Sequence, residues 1–458
     1  MPRSEARVAL DEARLSEDER RAVRAIDVEW IMRSLASLIA LRSDNGRETE
    51  AQDRSAGLMA DVGMQVDRWW IDLEELRGHP AFSCEVPRTE ALGVVGIVGG
   101  DADRTSRQSE VVARDLILNG HVDVVPPGDL AHWTSSPWQA TERDGAIYAR
   151  GAVDMKGGIA CALGAIRALR DAGVCLRGRL ILESVVGEED GGLGTLAAIT
   201  RGYRADGAIV MEPTQLSIVL AQAGCLDFRV TVRGKAGHGA MRWEGVSAID
   251  KFVSVYRALM ALERRRTAES LPRDVRMLFA EYPVPFPISI GTVRAGDWAS
   301  TVPEVLVCEG RYGVMPGEAP ESARKSFEQA LSDAARKDEW LRDHAPTVEW
   351  SGGRYASASI PRDSCLAAVL AAAHADVLAE PPLFRGVTYG ADMGMLVSVG
   401  GMDALLYGPG DVRCAHRPDE HIEVAALLKA TRALVVAAMR FCGYDCRNDG
   451  AGGRSASS

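Results

Sequence analysis

Apolar residues Ile31, Leu35, Leu38 and Ile39 repeat at helical spacing behind Asp27, a residue type suited to an N-cap. The first packed helix is therefore predicted over Asp27 to about Leu41. Farther along, a single unit recurs: an apolar run, a polar or Gly-rich turn, then a helix. Leu116–Asn119 leads into Gly120-His121, Leu180–Val186 into Gly187-Glu188-Glu189-Asp190, and Ala208–Met211 into Glu212-Pro213, while Ile159–Leu169 has the Ala and Leu content of a helix. Strands alternating with helices predict an α/β fold with a mostly parallel sheet.

The pattern changes after Ala221. Leu226–Val232 alternates with period two, and strand-like runs at Pro287–Ile290 and Val305–Cys308 accompany helical stretches near Ser247–Arg265 and Glu321–Lys337. This predicts an α+β unit with one sheet face solvated. Helical patterns return at Leu366–Leu378 and Val424–Met439, so the second unit is inserted into the first. The expected boundaries are an N-terminal extension at 1–26, solvated and partly helical, a main domain at 27–222 and 356–446, an inserted domain at 223–355, and a disordered tail at 447–458.

The 458 residues carry a formal charge of −11 and no apolar run long enough to span a bilayer. That charge repels phosphate backbones and anionic lipids, so neither nucleic acid nor membrane is an expected partner. Nine scattered cysteines, an odd number, lack a secreted disulfide framework and point to reduced thiols in the cytoplasm. Motifs for serine hydrolases, phosphate-binding loops and dinucleotide folds are absent; Gly93–Gly100 reads as a Gly-rich strand and turn.

Polar residues collect where the apolar runs end: His121 and Asp123, then Glu188, Glu189 and Asp190, then Glu212. In an open α/β sheet these ends form the ligand crevice. Asp154, before the Ile159 helix, and His416 fit the same place. Two imidazoles among several carboxylates make a ligand set for a divalent metal, with zinc the default for nitrogen and oxygen donors. Each feature also has a structural reading: a solvated loop end for His121 and Asp123, a helix N-terminal acid pair for Glu188 and Glu189, an N-cap for Asp154. Residue types alone leave both readings open.

Taken in order, Gly120–Pro126, Arg150–Gly158, Gly187-Glu188-Glu189, Met211–Thr214 and His416–Glu420 resemble the motifs of the M20 metallopeptidase family, close to its acetylornithine deacetylase and succinyl-diaminopimelate desuccinylase branch. The resemblance spans roughly Asp27 to Arg440. It implies a zinc-peptidase-type catalytic domain holding two divalent ions per subunit, Zn²⁺ first, with Co²⁺ or Mn²⁺ as alternatives. It also implies a homodimer formed through the inserted lid domain. His121 and Glu212 would hold one ion, Glu189 and His416 the other, and Asp154 would bridge them. Asp123 would fix the imidazole of His121, and Glu188 would be the general base. His238, in Gly234–Gly239, would reach the partner subunit's site as an oxyanion donor.

The resemblance extends to the substrate. Glu at 212 is similar to acylases and carboxypeptidase-like members, and Arg311 occupies the lid strand where relatives place a carboxylate-binding Arg. Thr388 and Gly390 fall in a loop similar to the family's substrate loop. Ser300-Thr301-Val302-Pro303 departs from the usual Asn-Val-Ile/Val-Pro and loses an amide donor. The implied activity is hydrolysis of the amide of an N-acyl amino acid or related amine. A dipeptidase or carboxypeptidase, an aminohydrolase or deformylase of a non-peptide amine, and a non-catalytic metal-binding dimer are the alternatives.

Overall fold

Leu116–His121 is buried along its whole length because it runs through the centre of a nine-stranded sheet covered by helices. The computed structural model describes residues 14–100, 113–268 and 271–446. The main path of that sheet runs Gln65–Trp70, Leu92–Gly99, Arg179–Val185, Leu116–His121, Gly207–Val210, Ala404–Leu406, Ile218–Gln222, Ala358–Ser359, and Phe384–Val387 pairs with Ile218–Gln222 off that path. Parallel pairing joins the central strands, Arg179–Val185 to Leu116–His121 to Gly207–Val210 to Ala404–Leu406. The margins are antiparallel, through Gln65–Trp70 and Leu92–Gly99 on one side and Ala358–Ser359 on the other. The α/β class with a parallel centre thus stands as expected. Because the parallel strands point the same way, the residues after His121, Val185 and Val210 emerge along one edge.

Helices Val28–Ile39, Gly157–Asp171, Cys365–Leu378 and Val424–Cys442 supply apolar faces to this core. Asp27 caps the first of them, its Oδ1 accepting from the Trp30 N–H at 2.9 Å, as the sequence predicts.

Between Gly224 and Tyr355 lies a second, four-stranded antiparallel sheet, ordered Ile288–Ala295, Val305–Val314, Gly224–Arg233, Thr347–Tyr355. Phe228, Val230 and Val232 alternate inward and pack with Val255 and Leu259 of helix Ala248–Ala268 and Phe327 of helix Pro320–Lys337, while Arg229 stays exposed.

One expectation is corrected. Within the N-terminal extension, helix Glu17–Arg24 is not a solvated segment: Ala22 and Val23 are buried, and Glu19 accepts from Arg440 Nε at 2.7 Å. Its alternating charges hide two apolar residues that face the core, the Ser16 and Glu19 capping box fixes its start, and Arg440 supplies the partner that lets Glu19 be buried. Residues 1–13 and the tail at 447–458 lie outside the described residues.

Candidate active site

Where the central strands end, the five expected ligands meet. His121 closes its strand with its imidazole buried, and its Nε2 lies 3.2 Å from Asp154 Oδ1, 3.8 Å from Glu188 Oε2 and 3.9 Å from Glu212 Oε1. The other oxygen of Asp154, Oδ2, lies 3.2 Å from His416 Nε2, which is 3.1 Å from Glu189 Oε1. Asp154 therefore spans two clusters with one oxygen toward each histidine. His121 with Glu188 and Glu212, and His121 with Asp154 and Glu189, bring one donor atom each close enough to share an ion.

The structural readings fall away with this geometry. Helix Gly157–Asp171 starts after Asp154, with Lys156 at its N-cap, so Asp154 is not capping it. Helix Leu193–Arg201 starts at the Gly192 cap, so Glu188 and Glu189 sit in the preceding turn and not in a helix's first turn.

Burial and mutual repulsion act against the cluster's carboxylates being ionised together. Burial, then neighbouring carboxylates, pushes Glu188 and Glu212 well above the ordinary carboxylate range, and Glu189 upward as well. Asp154 is also penalised by burial, but hydrogen bonds to His121 and His416 outweigh this and hold its pKa down. His416 is pushed up to about 10 by its hydrogen bonds to Asp154 and Glu189. Packed carboxylates with two imidazoles, all nitrogen and oxygen donors, fit a pair of divalent cations, whose charge removes the conflict.

The turn carrying Glu188 and Glu189 is held from three sides. Arg88, buried, bonds Asp190 Oδ2 at 2.7 Å and Glu48 Oε1 at 2.9 Å. The Tyr355 hydroxyl donates to the Glu188 carbonyl at 2.8 Å, and the Glu189 N–H donates to Asp123 Oδ2 at 3.0 Å. Asp123 acts on His121 chiefly through its backbone: its carbonyl is 2.9 Å from His121 Nδ1, whereas the carboxylate is 3.8 Å away. Asp154 is held by Glu420, which accepts from the Val153 and Asp154 N–H groups at 3.0 and 3.3 Å and pairs with buried Arg150 at 2.5 Å.

A cavity of about 420 Å³ opens over these carboxylates. Its far wall is the start of the small sheet, where Cys225 and Asp227 share one face and the strand register sets Tyr355 beside Cys225 and Arg311 beside Asp227. Arg311 lines the cavity, donating to Cys225 Sγ at 2.8 Å and to the Thr388 carbonyl at 3.3 Å. Gly390 also lines it, but Thr388 does not; its carbonyl serves to hold Arg311. A Cβ at Gly390 would stand 2.2 Å from Tyr355 Cβ, so this glycine is required by packing.

His238 does not line the cavity. It is exposed, and its Nδ1 accepts from the Ala240 N–H at 3.1 Å. Thr301, from the segment that departs from the family pattern, pairs with it.

Asp227, Cys225, Tyr355 and Arg88 escaped the sequence reading because nothing local marks them; Tyr389, which lines the cavity, and Asp392, which accepts from Thr195, lie in the loop that was singled out only for Thr388 and Gly390. Glu420 and Arg150 did carry a signal, since Arg150 opens one of the quoted motifs and Glu420 closes another.

Known proteins resemble this chain in sequence and in fold. The profile described as Peptidase family M20/M25/M40 matches residues 117–440. The chain is 28% identical over 422 residues to N-formyl-4-amino-5-aminomethyl-2-methylpyrimidine deformylase of Bacillus subtilis (strain 168), covering 86% of this chain and 90% of that one. It is 29% identical over 355 residues to acetylornithine deacetylase of Myxococcus xanthus, covering 77% and 85%. Among solved structures, the M20 family metallo-carboxypeptidase Sso-CP2 of Sulfolobus solfataricus shares the fold, with a TM-score of 0.70 at 16% identity over 90% of this chain and 99% of that one.

Proposed function

The chain belongs to Peptidase family M20/M25/M40, and from that premise we propose that it is a dinuclear metal amidohydrolase cleaving the amide bond of a small N-acylated amino acid or amine. The observation that carries this reading is the bridging placement of Asp154, one oxygen toward His121 and the other toward His416, with Glu188 in the same cavity. His121 and Glu212 would hold one divalent ion and Glu189 and His416 the other, with Asp154 shared; zinc suits these donors, and cobalt or manganese could replace it. Bound there, the ions supply Lewis acidity that lowers the pKa of water and polarises an acyl oxygen.

The remaining steps fall to the protein's own side chains. Glu188, buried beside His121, takes the proton of the attacking water and returns it to the leaving nitrogen as the carbon–nitrogen bond breaks. Asp123 keeps the His121 ring oriented through its carbonyl, and its carboxylate fixes the Glu189 backbone.

Residues 27–222 with 356–446 form the catalytic domain in this reading, and 223–355 a lid that also dimerises. Exposed Ile249, Val253 and Tyr256 on helix Ala248–Ala268, with exposed Trp243 and Trp298, give the lid an apolar surface suited to a second copy. His238 of one subunit would then act in the other's site. All nine cysteines are free thiols, consistent with a reducing cytoplasm. Among the described residues no helix is long and apolar enough to cross a membrane.

Arg311 would receive a carboxylate on the leaving amine. A second reading, a deformylase acting on a non-peptide amine, is favoured by Asp227, whose carboxylate sits beside Arg311 and offers an acceptor to a substrate N–H. Amine release from N-formyl, N-acetyl and N-succinyl amino acids, N-formyl heteroaromatic amines and unblocked dipeptides, with zinc- or cobalt-loaded protein and a chelated control, tests the proposal. Metal-dependent turnover of blocked substrates supports it. Turnover of dipeptides alone would replace it with a peptidase.

A further inference from the structure

The Tyr389 side chain lines the same cavity with its hydroxyl buried, and among the described residues that hydroxyl has no hydrogen-bond partner. A buried, unpaired O–H costs folding free energy, so its placement calls for a partner that arrives later. Its position in the cavity narrows the choice. After burial, the charges that act on it are those of Glu212 and Asp154, at the metal-ligand end of the cavity, followed by Arg385 and Tyr282. The acyl carbon must reach that end to meet the attacking water, whereas the rest of the leaving amine extends toward Arg311.

Building on the amidohydrolase reading, we propose that Tyr389 is a catalytic residue that donates a hydrogen bond from its hydroxyl to the acyl oxygen of the substrate and strengthens it as that oxygen becomes a tetrahedral oxyanion. The proton stays on the tyrosine throughout.

The loop that bears it is fixed before substrate arrives. Arg311 holds the Thr388 carbonyl at 3.3 Å, Gln222 Nε2 holds the Ala391 carbonyl at 2.9 Å, Thr195 Oγ1 donates to Asp392 Oδ2 at 2.6 Å, and Gly390 is pressed against Tyr355. A donor held in this way needs no reorganisation at the moment of reaction, which is where oxyanion stabilisation draws its strength. His238, exposed on the lid, does not line this cavity; Tyr389 offers a donor from within the same chain that does.

Tyr389→Phe in the full, metal-loaded protein tests this, because it removes only an oxygen with no partner to lose and keeps the ring. With the most active N-acyl amine of the panel, kcat is expected to fall roughly 10²-fold at little-changed KM, with metal content retained and the melting temperature unchanged or raised. By calorimetry, a phosphinate mimic of the tetrahedral intermediate should bind more weakly by about the same factor, while the product amine binds as before. If kcat and phosphinate affinity both stay within about threefold of the parent, or if only KM rises, the proposal is overturned. If the parent protein hydrolyses no N-acyl amine, the amidohydrolase reading fails and this inference falls with it.

Discussion

Glu183 is a carboxyl group with no exposed surface, in mid-strand between two other core strands. The Asn119 side-chain N–H₂ donates to its Oε2 and to Thr195 Oγ1, each at 3.0 Å, and Thr195 passes the chain on to Asp392. Glu183 Oε1 and Asn119 Oδ1 have no partner among the described residues. Burial is the main cause that pushes Glu183 from the ordinary 4.5 up to about 7. An acid with a raised folded-state pKa binds more protons when folded than when unfolded, so its contribution to stability is fully present below about pH 4.5 and is lost as pH rises through 7. The gap of about 2.5 units corresponds to about 3 kcal/mol lost by pH 8. Glu183→Gln keeps the shape and the acceptor to Asn119 but cannot ionise. Urea unfolding of the parent and the variant should therefore give similar stabilities at pH 5 and a variant more stable by about 3 kcal/mol at pH 8. A variant no more stable than the parent at pH 8, or a parallel pH dependence in the two proteins, would show that Glu183 is not the buried proton-binding group inferred here.

Glu188→Gln is expected to retain bound metal and lose roughly 10²–10⁴-fold in kcat, checked by metal analysis beside single-turnover kinetics. Glu188→Ala and His238→Ala subunits, each nearly inactive alone, should recover about a quarter of parental activity when dissociated, mixed equally and reassembled, since half the dimers then carry one complete site; no recovery would place His238 outside the partner's site. Glu420→Ala strands the buried Arg150 guanidinium and frees two backbone N–H groups, and should cost about 3–5 kcal/mol in urea unfolding together with weaker metal binding through the loosened Asp154.

Much of the fold was legible because its signals are periodic and local. The helix at Val28–Ile39 showed its 3.6-residue spacing and its cap, and Gly224–Arg233 showed the alternation that places Phe228 and Val230 inward and Arg229 outward. Ala404–Leu406 and Phe384–Val387 are too short for periodicity to mark; they are strands because the Gly207–Val210 and Ile218–Gln222 edges bind them. Helix Glu17–Arg24 failed for a related reason. Its mean polarity announced a solvated segment, and only Arg440, more than four hundred residues away in sequence, makes a buried Glu19 tolerable.

For the site the division falls between donors and supports. Polar residues at the ends of apolar runs drew attention to His121, Glu189 and Glu212, and the family resemblance assigned them and His416 as ligands, although residue types alone could not separate an N-capping Asp154 from one set between two histidines. That distinction needed two distances, 3.2 Å from each carboxylate oxygen to a different imidazole. The supporting residues follow no such rule. Any hydroxyl could hold the Glu188 carbonyl, and Tyr355 does so because the last residue of an antiparallel strand in the small sheet happens to reach the turn after Val185. The same strand end presses on Gly390 and so fixes the loop carrying Tyr389. The small sheet is thus mechanically joined to both the Glu188 turn and the Tyr389 loop. Tyr355→Phe should therefore lower kcat with any N-acyl amine while leaving metal affinity intact, and an unchanged kcat would show that the Glu188 turn is held well enough by Arg88 and Asp123 without it.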